Sequence, residues 1–558
     1  MRRRVRGIFV AVRVFVVLAV LWTGRPVPAA QPAVKNVIVL IADGCASEQY
    51  TLARWFKGEP LHLDAIRVGA VKTYISDSVI ADSAPTGSAY ATGVRTSDKF
   101  ISVGPKPEVL TTEPVPPPEW SYRPLATVLE GARLLGKATG VVSTSRVSHA
   151  TPAAYMAHVP SRTMEADIME QAVYQGVDVV LGGGKAYLLP ADRGGERLDR
   201  ENLVDVLRRR GYAVIERRGQ LAAVESGKVF GMFADGHMAA EIDRPELAPH
   251  EPTLEEMTRK AIELLSRNPK GFFLMVEASQ IDWACHANDP AHLLSDLLMY
   301  DRAVGAALDF ARRDQNTLVL ALSDHNTGGM SIGNRATNGT YSQTTLEALL
   351  NPLRRMKASS VAMWASLDGD ATPQNVKRVV AFGWGMEITD ADADRIVAVA
   401  KRDADAPHNG FGEVLCSRYT CIGWTTHGHT GGDVPLFAFG PGRPVGLVDG
   451  PDVGRITARA LGLDLDRLNE RLFQEAASAL GDATVSIDRG DENNPVVVID
   501  FEGKTARLPV NKNLLELDGR TIALEGVVVY APNTRKAYLP LEAVKQITGI
   551  GELPPVGP

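Results

Sequence analysis

Positive charge is what this chain lacks most clearly. Lys and Arg number 60 against 66 Asp and Glu, a formal net charge of −6. A balance of that sign argues against nucleic acid or an anionic bilayer as partner. Any phosphate site must then be a local positive pocket in a negative protein, and metal ions can supply one. Long apolar runs are also missing: the N-terminal stretch Val14–Trp22 is too short to span a bilayer and is flanked by Arg13. Cysteine is scarce, four in 558 residues. Cys416 and Cys421 bracket Ser-Arg-Tyr-Thr and are expected to close a small surface loop. Cys45 and Cys285 sit beside candidate metal ligands, where buried fillers, a pair and ligands are all open readings.

The first thirty residues read as a targeting segment. Arg2, Arg3, Arg4 and Arg6 form a basic start, Val14–Trp22 an apolar core, and Val27-Pro28-Ala29-Ala30 a small-residue cleavage site. A signal peptide over 1–30 implies export to a periplasmic or extracellular space. The adjacent arginines leave the twin-arginine route open beside the general one. Cleavage removes six arginines and no acid, which takes the net charge from −6 to −12. A mature chain this long exceeds one hydrophobic core, so a large domain with a smaller one is expected.

From about residue 34, continuous apolar runs alternate with amphipathic stretches. The runs are Val37–Ile41, Gly140–Ser143, Val177–Leu181, Phe272–Val276, Thr317–Leu322 and Leu436–Phe439; helical patterns cover Thr253–Arg267 and Pro290–Arg313. Strands that are apolar throughout, rather than alternating, predict an α/β fold with a mostly parallel sheet covered by helices on both faces. In such sheets the ligand site lies beyond the carboxyl ends of the strands. The catalytic domain is expected over 31–480, with a proline-rich excursion at 104–124 and an inserted helical cap at about 328–424. Past residue 481 the texture becomes β-rich, with a hairpin signal at Asp518-Gly519, and a small module is expected over 481–558.

The chemistry-bearing residues gather at the strand ends. Ser83 stands in Ala81-Asp82-Ser83-Ala84-Pro85-Thr86-Gly87, a run suited to a tight turn into a helix, where backbone N–H groups favour an anion. Asp43 ends the first run, and Glu277 follows the run Phe272–Val276. Asp282 and His286 are four apart, on one face of a helical turn. Asp324 and His325 follow a strand directly; Thr151 follows Ser148-His149-Ala150, and His429 precedes the last strand. Carboxylate and imidazole suit zinc, and carboxylate, hydroxyl and water suit magnesium. A lone histidine is more often structural than a ligand, so His62, His158, His237, His250, His292 and His408 are assigned no site role; His427 stays an alternative to His429.

Taken in order, Ile41-Ala42-Asp43-Gly44, Asp82-Ser83-Ala84, His149-Ala150-Thr151-Pro152-Ala153, Ala157–Arg162, Val276–Asp282 with His286, Ser323-Asp324-His325 and His429-Thr430-Gly431 resemble the motifs of alkaline phosphatases over roughly residues 34–475. The resemblance implies a phosphomonoester hydrolase of broad specificity, acting through a phosphoserine at Ser83. It implies one zinc on Asp282, His286 and His429, a second on Asp43, Asp324 and His325, and magnesium on Asp43, Thr151 and Glu277. Arg162 would grip two phosphate oxygens. Some family members have an aspartate and a lysine where this chain has His149 and Trp283, as other bacterial members do; the pair faces the substrate phosphate and implies an altered third metal, cobalt or another transition metal. Members are often homodimers.

Other readings remain on the same residues. A sulfatase of the superfamily would carry an arginine in its Cys/Ser-x-Pro-x-Arg motif, and Ala84-Pro85-Thr86-Gly87 supplies none. A phosphodiesterase would typically use threonine for Ser83, and a phosphomutase shares the scaffold. A non-catalytic surface phosphate-binding protein would be expected to have lost the nucleophile or the ligand set.

Overall fold

The computed structural model describes residues 34–113, 117–549 and 553–557; the signal peptide expected over 1–30 lies outside them. A ten-stranded sheet organises the chain. In sequence its strands are β1 Asn36–Ala42, β2 Arg67–Lys72, β3 Ala138–Arg146, β4 Val179–Gly183, β5 Tyr212–Ile215, β6 Lys228–Met232, β7 Phe272–Ala278, β8 Thr317–Leu322, β9 Val434–Phe439 and β10 Gly446–Asp449. In space they run β10-β2-β9-β8-β1-β7-β3-β4-β6-β5. Strand β9 is antiparallel to both β8 and β2, and every other pairing is parallel.

Both faces of the sheet are covered, which explains the unbroken apolar runs. Ile38 and Leu40 of β1, Leu274 and Val276 of β7, and Val319 and Ala321 of β8 enter one hydrophobic cluster. Their alternates Val37, Val39, Ile41, Phe273, Met275, Leu318 and Leu320 enter the cluster on the opposite face. The period of two is that of a pleated strand. Each fully buried Val, Leu, Ile or Phe contributes about 1.5–3 kcal/mol.

Six helices frame the site and its supports: α1 Ser83–Thr92, α2 Ala150–Met156, α3 Glu165–Tyr174, α4 Leu254–Leu265, α5 Gln280–His286 and α6 Pro290–Asp314. Helices α4 and α6 bury Leu254, Met257, Leu293, Leu297, Val304 and Leu308 against the first face. All ten residues of α1 are buried, and its small side chains are required by close neighbours. A Cβ on Gly87 would lie 3.2 Å from Ala154 Cβ of α2, and one on Gly454 would lie 2.5 Å from the Gly93 nitrogen just beyond α1. The run of Ala, Ser and Gly in the sequence is therefore a packing requirement that places Ser83 at the start of a buried helix.

Residues 328–424 leave and return through a neck, where Ser331 and Ile332 pair with Gly423 and Ile422. Between lie helices Leu346–Leu353, Ser360–Ala365, Pro373–Gly383, Asp390–Arg402 and Asn409–Tyr419. Their apolar faces, including Leu350, Val380, Ile396 and Phe411, join the first cluster rather than forming a core of their own.

Toward the C-terminus an antiparallel meander, β11 Thr484–Asp488, β12 Val496–Phe501, β13 Lys504–Pro509, β14 Leu514–Leu517 and β15 Arg520–Ala523, forms a five-stranded sheet over its own apolar cluster. The expected hairpin is present: Asp518 and Gly519 turn at φ of 50° and 72° between β14 and β15, as a two-residue turn requires. A second sheet joins Gln474–Glu475 to Val529–Ala531 and Lys536–Leu539. Val527, Val529 and Tyr538 belong to the main sheet's second cluster, so this end of the chain is packed into the large core. Among the described residues no helix is long and apolar enough to cross a membrane.

The expected link between Cys416 and Cys421 is not formed; all four cysteines are free. Cys416 lies on the buried face of its helix, with Sγ 3.2 Å from the Asn288 carbonyl, whereas Cys421 lies past the helix end, 3.7 Å from the Ala348 carbonyl. The helix holds the two thiols in different surroundings. Cys45 and Cys285 are buried, and burial pushes both thiols up.

Candidate functional site

Strand direction decides which side of each strand supplies the site. Asp43 follows β1, Glu277 lies near the end of β7, and Asp324 and His325 follow β8, all at the carboxyl edge of parallel strands. Strand β9 runs the other way, so its leading side reaches that same edge, and His429 arrives there before the strand. A two-residue ladder pairing His429 with Thr327 and Thr430 with Asn326 fixes it beside the His325 loop.

Ser83 begins α1 and is 2% exposed. Its Oγ lies 3.1 Å from His325 Nε2, which in turn is 3.5 Å from Asp43 Oδ1 and 3.4 Å from Asp324 Oδ2. The loop is locked by Ser323, whose hydroxyl donates to the His325 carbonyl at 2.7 Å and accepts the Cys45 N–H at 2.8 Å. Gly44 is required here: it has φ of 71°, and a Cβ would lie 2.7 Å from Asp282 Oδ1.

On the other side of Asp282 is a second group. His286 Nε2 lies 3.2 Å from Asp282 Oδ2 and 3.2 Å from His429 Nε2. His286, His325 and His429 are each anchored through Nδ1. His286 donates to the His427 carbonyl and His429 to the Ala81 carbonyl at 2.8 Å. Thr327 donates its hydroxyl to Asp282 Oδ1 at 2.6 Å and so accepts from His325 Nδ1 at 3.2 Å. With their N–H groups so used, all three rings turn an Nε2 lone pair into the site, the tautomer a metal ligand needs. His427 instead contacts Glu413, at 3.3 Å.

The third group lies deeper. Thr151 enters from the first turn of α2, and Glu277 accepts from Ser143 through Oε2 at 2.5 Å. A nitrogen of His149 and carboxylate oxygens of Asp43 and Glu277 lie within 4.8 Å of one another. Both Asp43 oxygens, Glu277 Oε1, Asp324 Oδ2 and Thr151 Oγ1 are buried and have no hydrogen-bond partner among the described residues. Native interiors rarely leave such oxygens unpaired, so the donor set fits divalent cations. The electrostatics agree: burial and then the facing carboxylates of Asp324, Asp282 and Glu277 raise the Asp43 carboxyl well above its usual range. Burial opposes protonation of His286, but Asp282 holds it up at about 9.

Arg162 completes the site. Its Nη1 donates to Asp82 Oδ1 at 2.6 Å and its Nη2 to His149 Nε2 at 2.7 Å. Asp82 is the N-cap residue of α1 but makes no side-chain cap, because its carboxylate is engaged by the guanidinium. Trp283 packs edge-on to His149 with ring centres 5.5 Å apart. The sequence residues Ser83, Asp43, Thr151, Arg162, Glu277, Asp282, Trp283, His286, Asp324, His325, His149 and His429 are therefore all brought to one edge of the sheet.

One neighbour was not expected. His237, assigned no site role from sequence, lies with its ring 4.1 Å from Trp283 and 5.5 Å from His149, its Nδ1 accepting the Arg146 N–H at 3.2 Å. Its signal was positional: it follows β6 in the loop at the carboxyl edge. Three of the other histidines set aside have structural partners: His62 with Asp301 at 3.1 Å, His158 with Glu130 at 3.2 Å and His292 with Gln280 at 3.1 Å.

A buried hydroxyl, a fixed guanidinium and clustered carboxylate and imidazole donors at the end of a parallel sheet define a metal-dependent phosphoryl-transfer centre. The chain belongs to the alkaline phosphatase family, whose model matches residues 34–463. It is similar to alkaline phosphatase 3 of Bacillus subtilis, 32% identical over 458 residues, which cover 79% of this chain and 92% of that one. Among solved structures it is similar to Thermus thermophilus alkaline phosphatase, with a TM-score of 0.68, 30% identity, and coverage of 78% of this chain and 93% of that chain. Two mutants of the alkaline phosphatase from the Antarctic bacterium TAB5, with a histidine replaced by glutamate or by aspartate and magnesium bound in the M3 site, match with a TM-score of 0.53 and 25% identity, covering 77% of this chain and 99% of theirs. The protein is an alkaline phosphatase, an enzyme that hydrolyses phosphomonoesters.

Proposed function

We propose that the enzyme hydrolyses a broad range of phosphomonoesters by two displacements at phosphorus, with Ser83 carrying the phosphoryl group between them. The observation that carries this reading is the buried Ser83 Oγ at a helix N-terminus, 3.1 Å from His325 Nε2. Asp282, His286 and His429 would hold one zinc, Asp43, Asp324 and His325 a second, and Asp43, Thr151 and Glu277 a third ion. When bound, such ions lower the pKa of an attacking hydroxyl or water and stabilise the leaving oxygen.

The chain's own residues do the rest. The Ser83 hydroxyl donates to the His325 Nε2 lone pair, which would be one of the ligands of the second zinc. It attacks phosphorus, the P–O bond to the alcohol breaks, and water later cleaves the Ser83–phosphoryl bond to release inorganic phosphate. Arg162 presents its remaining N–H groups as a fork to two phosphate oxygens, pinned from one side by Asp82 and from the other by His149. None of these roles reads the alcohol, which supports broad specificity. Replacing Arg162 by alanine is expected to weaken inorganic phosphate as a competitive inhibitor and to lower kcat/KM by about 10²-fold. An unchanged inhibition constant contradicts the assignment.

The third ion is the site's individual feature. His149 and Trp283 bring no fixed charge, and burial together with Arg162 keeps the His149 imidazole neutral. TAB5 enzymes with an acid in place of one histidine carry magnesium in the M3 site, and His149 is the candidate for that place here. A neutral imidazole has one lone pair, so the ring would ligate an ion only by giving up the Arg162 bond to its Nε2. We assign the native site a preference for cobalt or another transition metal over magnesium, since imidazole suits such ions. The double substitution His149→Asp with Trp283→Lys is expected to shift activation of the chelated enzyme toward magnesium. An unaltered metal-activation profile sinks the idea.

A further inference from the structure

We propose that the C-terminal β-rich segment braces the phosphate-gripping loop, and that Asn511 is the positioning residue through which it acts. The inference rests on the reading of Arg162 as the phosphate grip. Asn511 follows β13 and is buried, with a left-handed φ of 67°. Its amide engages three side chains of α3. Nδ2 donates to Asp167 Oδ1 at 2.8 Å and to Glu170 Oε2 at 3.3 Å, and Oδ1 accepts from Gln171 Nε2 at 2.9 Å. Its neighbours grip the same region: Lys512 Nζ lies 2.8 Å from Glu201 and 3.2 Å from Glu170, and Asn513 accepts from Arg210 at 2.6 Å.

From α3 the contacts lead to the site by two routes. Gln171 accepts the His158 N–H at 2.8 Å and donates to the His158 carbonyl at 3.3 Å. His158 opens the segment that carries Arg162, which is otherwise tied by Val159 pairing with Ile101 and by the Arg162 N–H donating to the Lys99 carbonyl at 2.8 Å. At the first turn of α3, Glu165 receives Arg146 Nε and Nη2, both at 2.7 Å, and the Ser148 hydroxyl at 2.8 Å. Those residues lead directly into His149, the acceptor for Arg162 Nη2. One helix therefore fixes both the segment that carries the guanidinium and the segment that carries its acceptor, and its outer side is clamped by the C-terminal part. The Arg162 segment lies outside helix and sheet, so its placement depends on these side-chain bonds together with its backbone ties to Ile101 and Lys99.

Asn511→Gly removes the three bonds while keeping a backbone that glycine adopts freely. The test uses the full metal-loaded enzyme and reads the competitive inhibition constant of inorganic phosphate, kcat and KM for an aryl phosphate, and the melting temperature. Asn511→Gly is expected to raise the phosphate constant about three- to tenfold, with KM moving alongside it and kcat changing less. Arg507→Ala, which breaks a half-exposed pair with Asp488 on the same sheet, is expected to leave the phosphate constant unchanged. In an Arg162→Ala background the effect of Asn511→Gly should vanish, since the two act through one group. If Asn511→Gly does not fold, Lys512→Met carries the same expectation. A lowered melting temperature with an unchanged phosphate constant overturns the brace, as does a shift that persists without Arg162. Those results differ from failure of the underlying reading, in which Arg162→Ala alone leaves phosphate affinity intact.

Discussion

Replacing Ser83 by alanine is expected to lower turnover of an aryl phosphate by about 10³-fold or more while the protein stays folded. The substitution removes one oxygen from a buried helix start, and alanine suits a helix whose other residues are mostly small. Among the described residues the hydroxyl's one hydrogen-bond partner is His325 Nε2, and that nitrogen keeps its carboxylate neighbours when the serine is gone. Arg162 and the ligand clusters also remain, so phosphate should still bind with comparable affinity. Loss of turnover with retained phosphate inhibition separates a missing nucleophile from a collapsed site. Turnover near that of the unaltered enzyme would remove Ser83 from the chemistry.

Chelation has the second large effect, and its pH dependence is specific to this ligand set. Stripping the ions is expected to abolish turnover and to lower the melting temperature by about 10 °C, since each ion held at a thousandfold excess over its dissociation constant stabilises by about 4 kcal/mol. The stripped protein keeps four carboxylates, those of Asp43, Glu277, Asp282 and Asp324, in one buried place. Burial and mutual repulsion raise the Asp43 and Glu277 carboxyls, and Asp282 holds His286 up at about 9. Groups raised on folding stabilise fully below their unfolded pKa and lose that stabilisation as pH rises through the folded value. Through these groups the chelated enzyme loses stability from about pH 5 upward, with His286 adding its loss toward pH 9. Burial lowers the His325 and His149 imidazoles, which oppose that trend as pH rises toward the ordinary histidine value. Asp282 is shifted the other way: burial opposes, but the neighbouring imidazoles hold it low, so it matters only under strong acid. Ion binding displaces protons from the same groups and strengthens as pH rises. The gap in melting temperature between loaded and stripped enzyme should widen with pH. A gap independent of pH would show that the buried carboxylates and His286 do not hold the ions.

Much of this was legible in the sequence because the strands report their own ends. Asp43 and Asp324 follow unbroken apolar runs, and a strand buried on both faces can stop only where its chain leaves the sheet. The i, i+4 spacing of Asp282 and His286 placed both on one helical face. What the sequence could not carry was direction in space. Nothing in Leu436–Phe439 says that β9 runs antiparallel, which is why His429 serves the site from ahead of its strand. The role of His237 escapes the sequence because the run before it, Lys228–Met232, is short and interrupted by Gly231, so its position at the sheet edge is not visible there. The Cys416–Cys421 pairing was expected from spacing alone, and the helix Asn409–Tyr419 that separates the thiols is a tertiary fact. The C-terminal strands were recognised by their turns, but Asn511 touches α3 across 340 residues of chain, a contact that local pattern does not encode.

The proposed mechanism stands on covalent transfer to one oxygen. Enzyme mixed with an aryl phosphate, quenched in acid within a turnover and mapped by peptide mass spectrometry, tests that directly. The expected result is a single phosphorylated peptide with the phosphoryl group on Ser83, absent from the Ser83→Ala protein and from chelated enzyme. A quenched enzyme that turns over substrate yet carries no phosphoryl group, or carries it on another residue, would contradict the mechanism.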